Sequence, residues 1–339
     1  MFFRGTFMSE HMDQAKNMMD IGVQTKNIIN DQNPLEGFEL LQQVGFTCCD
    51  FSLNSYLLNS SLYRFETNDF FDKSDTELET FFSPHKKAAK MTGIRINQMH
   101  MPYPNYIPNG GDELNNYLKN IVAPKSMQIC AFMDCQYIVL HGFKLAHYLG
   151  SEQAEWQKTL EFIEFLAPLA KELGVTICIE NIYTNVGNHI VEGPCCNAKK
   201  AATRIDAINE KYGAEVLGFC FDTGHANLVG IDFEDFMVTL GDRLKVLHIH
   251  DNDGIGDLHQ IPFTFTRSRE NTSSTDWEGF IKGLKKIQFN GVLNFETAPV
   301  LTTFPNAMKE DVLRFIASIG RYFSKALTET KLQKSSEII

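Results

Sequence analysis

Between residues 20 and 326 the chain repeats one alternation, a short and nearly unbroken apolar run followed by a longer window of helical periodicity. Eight runs read as strands: "MDIGVQT", "TCCDFSL", "IRINQMHM", "YIVLHGF", "VTICIENI", "LGFCFDT", "KVLHIHD" and "GVLNFET". Windows between them, such as "PLEGFELLQQVGF", "AEWQKTLEFIEFLAPLAKELG", "AATRIDAINEKY", "IDFEDFMVTLGDR", "STDWEGFIKGLKKIQF" and "PNAMKEDVLRFIASIGRYFSKAL", read as helices. Ser151 and Asn197 are suited to cap helix starts, and Gly174 and Gly291 stand where a helix hands over to a strand. Strands that are apolar at nearly every position are covered on both faces, as in a parallel sheet wrapped by helices. An open doubly wound sheet also uses such units, but no GxGxxG follows the first run and no GxxxxGK[ST] occurs. The expected fold is therefore α/β, a single (β/α)8 TIM barrel with a parallel eight-stranded core over residues 20–326, preceded by a lead-in at 1–19 and followed by a tail at 327–339.

Composition narrows the function classes. With 43% apolar and 22% charged side chains, 339 residues can bury a large core. A net charge of −11 offers no basic face to a polyanion, which disfavours nucleic acid as a partner. The eight cysteines form no CxxC pair and suit free thiols in a reducing compartment. No apolar run approaches the roughly 18 residues that suggest a membrane span. The first eighteen residues lack a signal peptide's apolar core. The expectation is a cytoplasmic protein with no membrane partner, compatible with a homo-oligomer.

A barrel makes a specific demand: its reactive groups come from the C-terminal ends of several strands. Here strand three ends in His100, strand four in His141, strand five in Glu180, strand six in Asp222 with His225 three residues on, strand seven in His248 and His250, and strand eight in Glu296. Each alone has a bland reading as a hydrogen-bonded strand end or a helix cap. Gathered on one rim they would be costly to desolvate unless something paired them, and a divalent ion does that. Mixed Asp, Glu and His donors suit Zn, Mn or Co better than Mg or Ca.

The stretch "KVLHIHDNDGIGDLHQIPF" is the densest in such groups. The period of two puts Val246, His248 and His250 on one face, so both histidines can look into the barrel. Asp251, Asp253, Asp257 and His259 then fall in the loop, where "DLH" offers a carboxylate and an imidazole for a second metal or a substrate hydroxyl. Asp253 and Gly254 read as ordinary turn chemistry. The irregular stretches near 54–75 and 252–274 are expected to lie over the barrel mouth.

"IENIY", "FDTGHANL", "LHIHDNDGIGDLH" and "NFET", in this order, resemble the xylose-isomerase-like barrel superfamily of sugar and sugar-phosphate isomerases and epimerases, ketose 3-epimerases, inosose-processing enzymes and endonuclease IV. The resemblance implies one divalent ion, Mn, Zn, Co or Mg, held by Glu180, Asp222, His248 and Glu296. His248 is preferred to His250 because His248 to Asp251 fits the related His-x-x-Asp pattern, although His250 to Asp253 fits as well. It implies a sugar isomerase or epimerase in which Glu180 and Glu296 move protons through a metal-stabilised enediolate. His100, His141, His225, His250, Asp257 and His259 are the candidate substrate contacts, with His225, Asp257 and His259 able to hold a second ion. Phe143, Lys144, Trp277, Arg267 and Arg269 are candidates for substrate selectivity, Lys144 and Arg267 for a phosphate. Inosose dehydration or isomerisation shares the enediolate step. The main alternative is a zinc-dependent abasic-site nuclease like endonuclease IV, whose metal positions this chain also fills. The acidic balance and a loop from Asp251 to His259 without a basic residue favour sugar chemistry.

Overall fold

The computed structural model describes residues 18–145, 151–267 and 272–329. The lead-in up to residue 17, the tail from residue 330 and Arg269 lie outside the described residues. All eight expected strands form: β1 Ile21–Gln24, β2 Cys48–Ser52, β3 Arg95–His100, β4 Tyr137–His141, β5 Thr176–Glu180, β6 Leu217–Asp222, β7 Leu244–His248 and β8 Leu293–Phe295. From β1 to β7 each pairs in parallel with the next, and β8 pairs in parallel with β1. The circle closes between β7 and β8 by a single parallel bridge, Ile249 to Phe295. Two hydrogen bonds make that joint, Ile249 N–H to the Asn294 carbonyl at 2.9 Å and Glu296 N–H to the Ile249 carbonyl at 3.1 Å.

Eight principal helices wrap the sheet: α1 Pro34–Val44, α2 Asp75–Thr92, α3 Ala123–Phe132, α4 Glu152–Leu173, α5 Ala198–Tyr212, α6 Phe233–Leu240, α7 Trp277–Lys286 and α8 Lys309–Thr328. Each shows the barrel an apolar stripe. In α8 Val312, Leu313, Ile316, Ala317, Ile319 and Phe323 are buried, the three-and-four spacing of one helix face. Asn197 caps α5, its Oδ1 accepting the Lys200 N–H at 3.0 Å, whereas Ser151 stands before α4 without a side-chain cap. Gly174 ends α4 at φ 64°, a left-handed conformation that favours glycine. Trp277 is a core residue and not a selectivity residue: it is 4% exposed and packs on Phe280 and Phe323.

Inside the barrel the period of two sorts residues into storeys. Val139, Cys178, Cys220 and Val246 form a small apolar cluster of their own. Two residues further along the same four strands stand His141, Glu180, Asp222 and His248. Alternation alone therefore lays a polar storey directly over an apolar one.

Candidate metal centre

The loops at the C-terminal ends of the strands bring all ten sequence-predicted residues to one place. Nδ1 of His248 lies 3.3 Å from Glu180 Oε1, 3.4 Å from Glu296 Oε2 and 3.9 Å from Asp222 Oδ2. The other ring nitrogen, Nε2, faces Asp50 Oδ2 at 3.2 Å, with both residues fully buried. A carboxylate takes the Nε2 proton, so in the neutral ring it is Nδ1 that carries the lone pair, directed at the three acidic groups. Gln24 Nε2 donates to Glu296 Oε1 at 2.7 Å and occupies that oxygen. Asp222 Oδ1 caps the short helix Thr223–Leu228 by accepting the His225 N–H at 2.6 Å, and Oδ2 is 3.0 Å from His250 Nε2.

On the β3–β4 side Nε2 of His100 and Nε2 of His141 face each other at 3.1 Å, and they lie 3.6 and 3.2 Å from Glu180 Oε2. His100 Nδ1 sits 2.7 Å from the Met101 carbonyl, which can only accept, so Nε2 of a neutral His100 carries a lone pair. Two facing imidazole nitrogens at that distance need a proton or a cation between them. The opposite side repeats the device. His225 Nδ1 donates to the Asn181 carbonyl and His259 Nδ1 to the Glu296 carbonyl, each at 3.0 Å. Their Nε2 atoms are left 3.4 and 3.3 Å from Asp257 Oδ2. His250 stacks on His259 at 4.0 Å and over Gly224, where a Cβ would stand 1.9 Å from its ring.

The donor set fits a cation. Both oxygens of buried Glu180 and the Nδ1 atoms of His248 and His250 make no hydrogen bond of sound geometry, nor does Asp257 Oδ1. Buried polar atoms without partners are rare, and here they cluster. His100 with His141 and Glu180, His100 with His248 and Glu296, and His250 with Asp257 and His259 each have donor atoms close enough to share an ion. Without an ion, protons hold the carboxylates together. Burial alone would push Glu180 up, but His248, His141 and His100 hold it well below the usual carboxylate range. Burial likewise opposes the charge on Glu296, yet His248 and His259 bring it down to about 2. The histidines answer in kind: burial would lower His259, but Asp257 and Glu296 raise it to about 9. His225 and His248 are likewise held well above their usual value against burial, His225 by Asp222 and Asp257 and His248 partly by Glu296 and Glu180. His141 goes the other way, burial outweighing Glu180.

Asp50, Gln24 and Asn181 were not singled out from sequence. Asp50 had a signal, a charged residue inside the apolar run "TCCDFSL". Asp253 does serve the turn, its Oδ1 accepting the Ile255 and Gly256 N–H groups at 2.9 Å. Two cavities flank the centre and share Tyr103: one of about 300 Å³ beside His141 and one of about 380 Å³ beside Glu296 and His259. An apolar groove of about 950 Å³ along α8 holds none of the candidate residues. Among the described residues no helix is long and apolar enough to cross a membrane.

A closed parallel barrel with carboxylates and imidazoles gathered on its C-terminal rim has them where barrel enzymes carry their reactive groups. Residues 38–318 match the xylose isomerase-like TIM barrel family, and the chain belongs to it. Over 192 residues the chain is 25% identical to a fructoselysine 3-epimerase of Escherichia coli O157:H7, covering 53% of this chain and 66% of that protein. It is 23% identical over 193 residues to an inosose isomerase of Bacillus velezensis, 56% of this chain and 62% of that one. It is 29% identical over 187 residues to a protein named probable endonuclease 4 of Methanoculleus marisnigri, 51% and 61%. The matched stretches thus span under two thirds of these relatives' own length. A crystal structure of D-psicose 3-epimerase superposes at TM-score 0.63 and 16% identity, over 92% of this chain and all of that one. A 3-keto-D-glucoside 4-epimerase from E. coli superposes at 0.61 and 14%, over 88% and 99%. At such identities the likeness is one of fold.

Proposed function

We propose that the chain is a divalent-metal-dependent sugar or sugar-phosphate isomerase or epimerase. The observation that carries this reading is the convergence of Glu180, Asp222 and Glu296 on His248 Nδ1 while Asp50 occupies the other ring nitrogen. A Mn, Zn, Co or Mg ion held by these four residues would supply Lewis acidity to a carbonyl and a neighbouring hydroxyl of an open-chain sugar. Glu296 has one oxygen tied to Gln24 and one free to take a proton from carbon. Glu180, with neither oxygen hydrogen-bonded, is the second acid–base group: one carboxylate would take the proton from carbon, leaving an enediolate, and the other would return a proton to carbon. His225, its Nδ1 fixed by the Asn181 carbonyl, offers Nε2 to a substrate oxygen or, with Asp257 and His259, to a second ion. His100, His141 and His250 line the remaining rim as substrate contacts. Epimerase and isomerase names among the relatives support the same reaction class.

One observation favours a second reading. The facing pair His100 and His141 with Glu180, and the His225, Asp257 and His259 group, supply donors for more than one ion, as an abasic-site nuclease would need. The net charge of −11 weighs against a DNA substrate. The deciding experiment is metal analysis of the purified protein followed by ketose and inosose panels in deuterated water, beside an abasic-DNA incision assay. Deuterium entering the carbon next to the carbonyl supports the isomerase. Incision of abasic DNA at nanomolar protein, with no ketose exchanged, replaces it by the nuclease.

A further inference from the structure

The cavity of about 300 Å³ beside His141 has an unusual wall. Tyr63, Tyr103, Tyr106 and Tyr183 contribute four aromatic rings, and Lys144 is the cation among the lining residues. The cavity opens onto the centre, for the Tyr103 ring lies 4.7 Å from that of His141 and 5.2 Å from that of His100. Tyr183 lies 5.4 Å from the ring of His225 on the other flank. The Lys144 ammonium sits 4.8 Å over the Tyr183 ring. Among the described residues it makes no hydrogen bond and no ion pair.

A second lining group also lacks a partner. Asn105 is 3% exposed, and its Nδ2 donates to the Pro102 carbonyl at 2.8 Å, but its Oδ1 accepts nothing. That oxygen is closed off from solvent, so the group open to a ligand in this cavity is the Lys144 ammonium, and a ligand carrying an anion would satisfy it.

We infer that this tyrosine-walled cavity is a subsite for the terminal carboxylate of an open-chain sugar acid, bound by Lys144. The inference rests on the sugar-isomerase reading above and adds the substrate class. A carboxylate, and not a phosphate, is the match: one ammonium balances one charge, and among the described residues the lining includes no second cation. The nearby acids are already engaged. Glu155 accepts the Leu145 N–H at 3.1 Å, Asp257 lies between His225 and His259, and Glu180 lies among the histidines. Burial pushes the Lys144 ammonium down to about 8 against the pull of Asp257, which is the cost an incoming anion would offset.

The test uses the metal-loaded full chain and three probes measured by calorimetry: D-glucitol, D-gluconate, which differs from it by one terminal carboxylate, and D-glucitol 6-phosphate. The wild type should bind gluconate about tenfold or more tightly than glucitol. Lys144→Met should abolish that ratio with metal content unchanged, and Lys144→Arg should keep most of it. Equal binding in the wild type, a ratio that survives Lys144→Met, or a larger gain for the phosphate than for the carboxylate overturns the inference. Charge discrimination without exchange of any ketose would refute the isomerase reading and leave the subsite standing. Ketose exchange with no charge discrimination would do the reverse.

Discussion

Replacing Asp50 probes the proposed centre without touching a proposed ligand. Its Oδ2 takes the N–H of His248 at 3.2 Å, and neither residue is exposed. A hydrogen bond to a charged acceptor contributes about 1.5–3 kcal/mol, against roughly 1 kcal/mol for a neutral one. Asp50→Asn keeps the shape and, through its carbonyl oxygen, the tautomer. It should therefore weaken metal binding by about 1–1.5 kcal/mol, or roughly tenfold. Asp50→Ala also leaves a buried N–H unpaired and lets the ring turn, which should move the loss toward 100-fold, the upper range for outer partners of ligating histidines. Competition with a chelator of known affinity, read by mass spectrometry of the protein-bound metal, measures both. Thermal unfolding of the metal-free forms separates a loss of metal from a loss of fold. An Asp50→Ala protein that folds and holds metal as tightly as the wild type would refute the proposal that His248 binds through Nδ1.

Four further outcomes follow from the same geometry. Glu296→Gln and Glu180→Gln should each lose about 10²–10⁴-fold in turnover of whatever ketose is exchanged, as expected for a general base. Asp253→Asn, a turn residue, should stay within a few fold of wild type in the same kinetic assay. Metal binding should release protons: His248 is held well above its usual value in the metal-free protein and must be bare at Nδ1 to ligate, and His225 and His259, also raised, would have to shed theirs to hold a second ion. Affinity should accordingly fall as pH is lowered, and binding enthalpies that do not vary with the buffer's own ionisation heat would contradict this. Gly224→Ala should push His250 aside, since the new Cβ meets its ring at 1.9 Å, and cost about 1–3 kcal/mol of stability by urea titration. An unchanged midpoint would mean that His250 is free to move.

The barrel was legible because its strands are apolar on both faces and its helices on one, and both periods survive in the letters. "LGFCFD" and "TICIE" are buried at every position, as their composition implies. The α2 and α3 helices also bury regular stripes, Leu78, Phe82, His85 and Ala88 in one and Ala123, Ser126, Met127 and Cys130 in the other, but Pro84 inside α2 and the π-helical segment that runs into α3 make them harder to read from the letters. The rim residues were legible for the same reason as the strands: a polar group that ends an apolar run has few other places to be. The hydrogen bonds that select each histidine's tautomer were not, because they join residues far apart in sequence. Asp50 and His248 are 198 positions apart, and Gln24 and Glu296 are 272 apart. Nor could periodicity choose between His248 and His250, which share a face. Distance favours the former, because His248 meets three carboxylates at one nitrogen while His250 spends its Nε2 on Asp222.

The one-bridge joint between β7 and β8 matters beyond topology. Elsewhere neighbouring strands share a ladder of several pairings, but here the circle is completed by Ile249 and Phe295 alone. His248 and Glu296, two of the four proposed ligands, stand immediately on either side of it. An ion shared by them would act as a rivet across the weakest stave joint of the cask, so that filling the centre and keeping the wall shut become one equilibrium. Backbone amides of Ile249 and Glu296 should then exchange with deuterium markedly faster when the protein is stripped of metal, while those in β4 and β5 change little. Equal slowing of all strands by metal would show that the wall holds without its rivet.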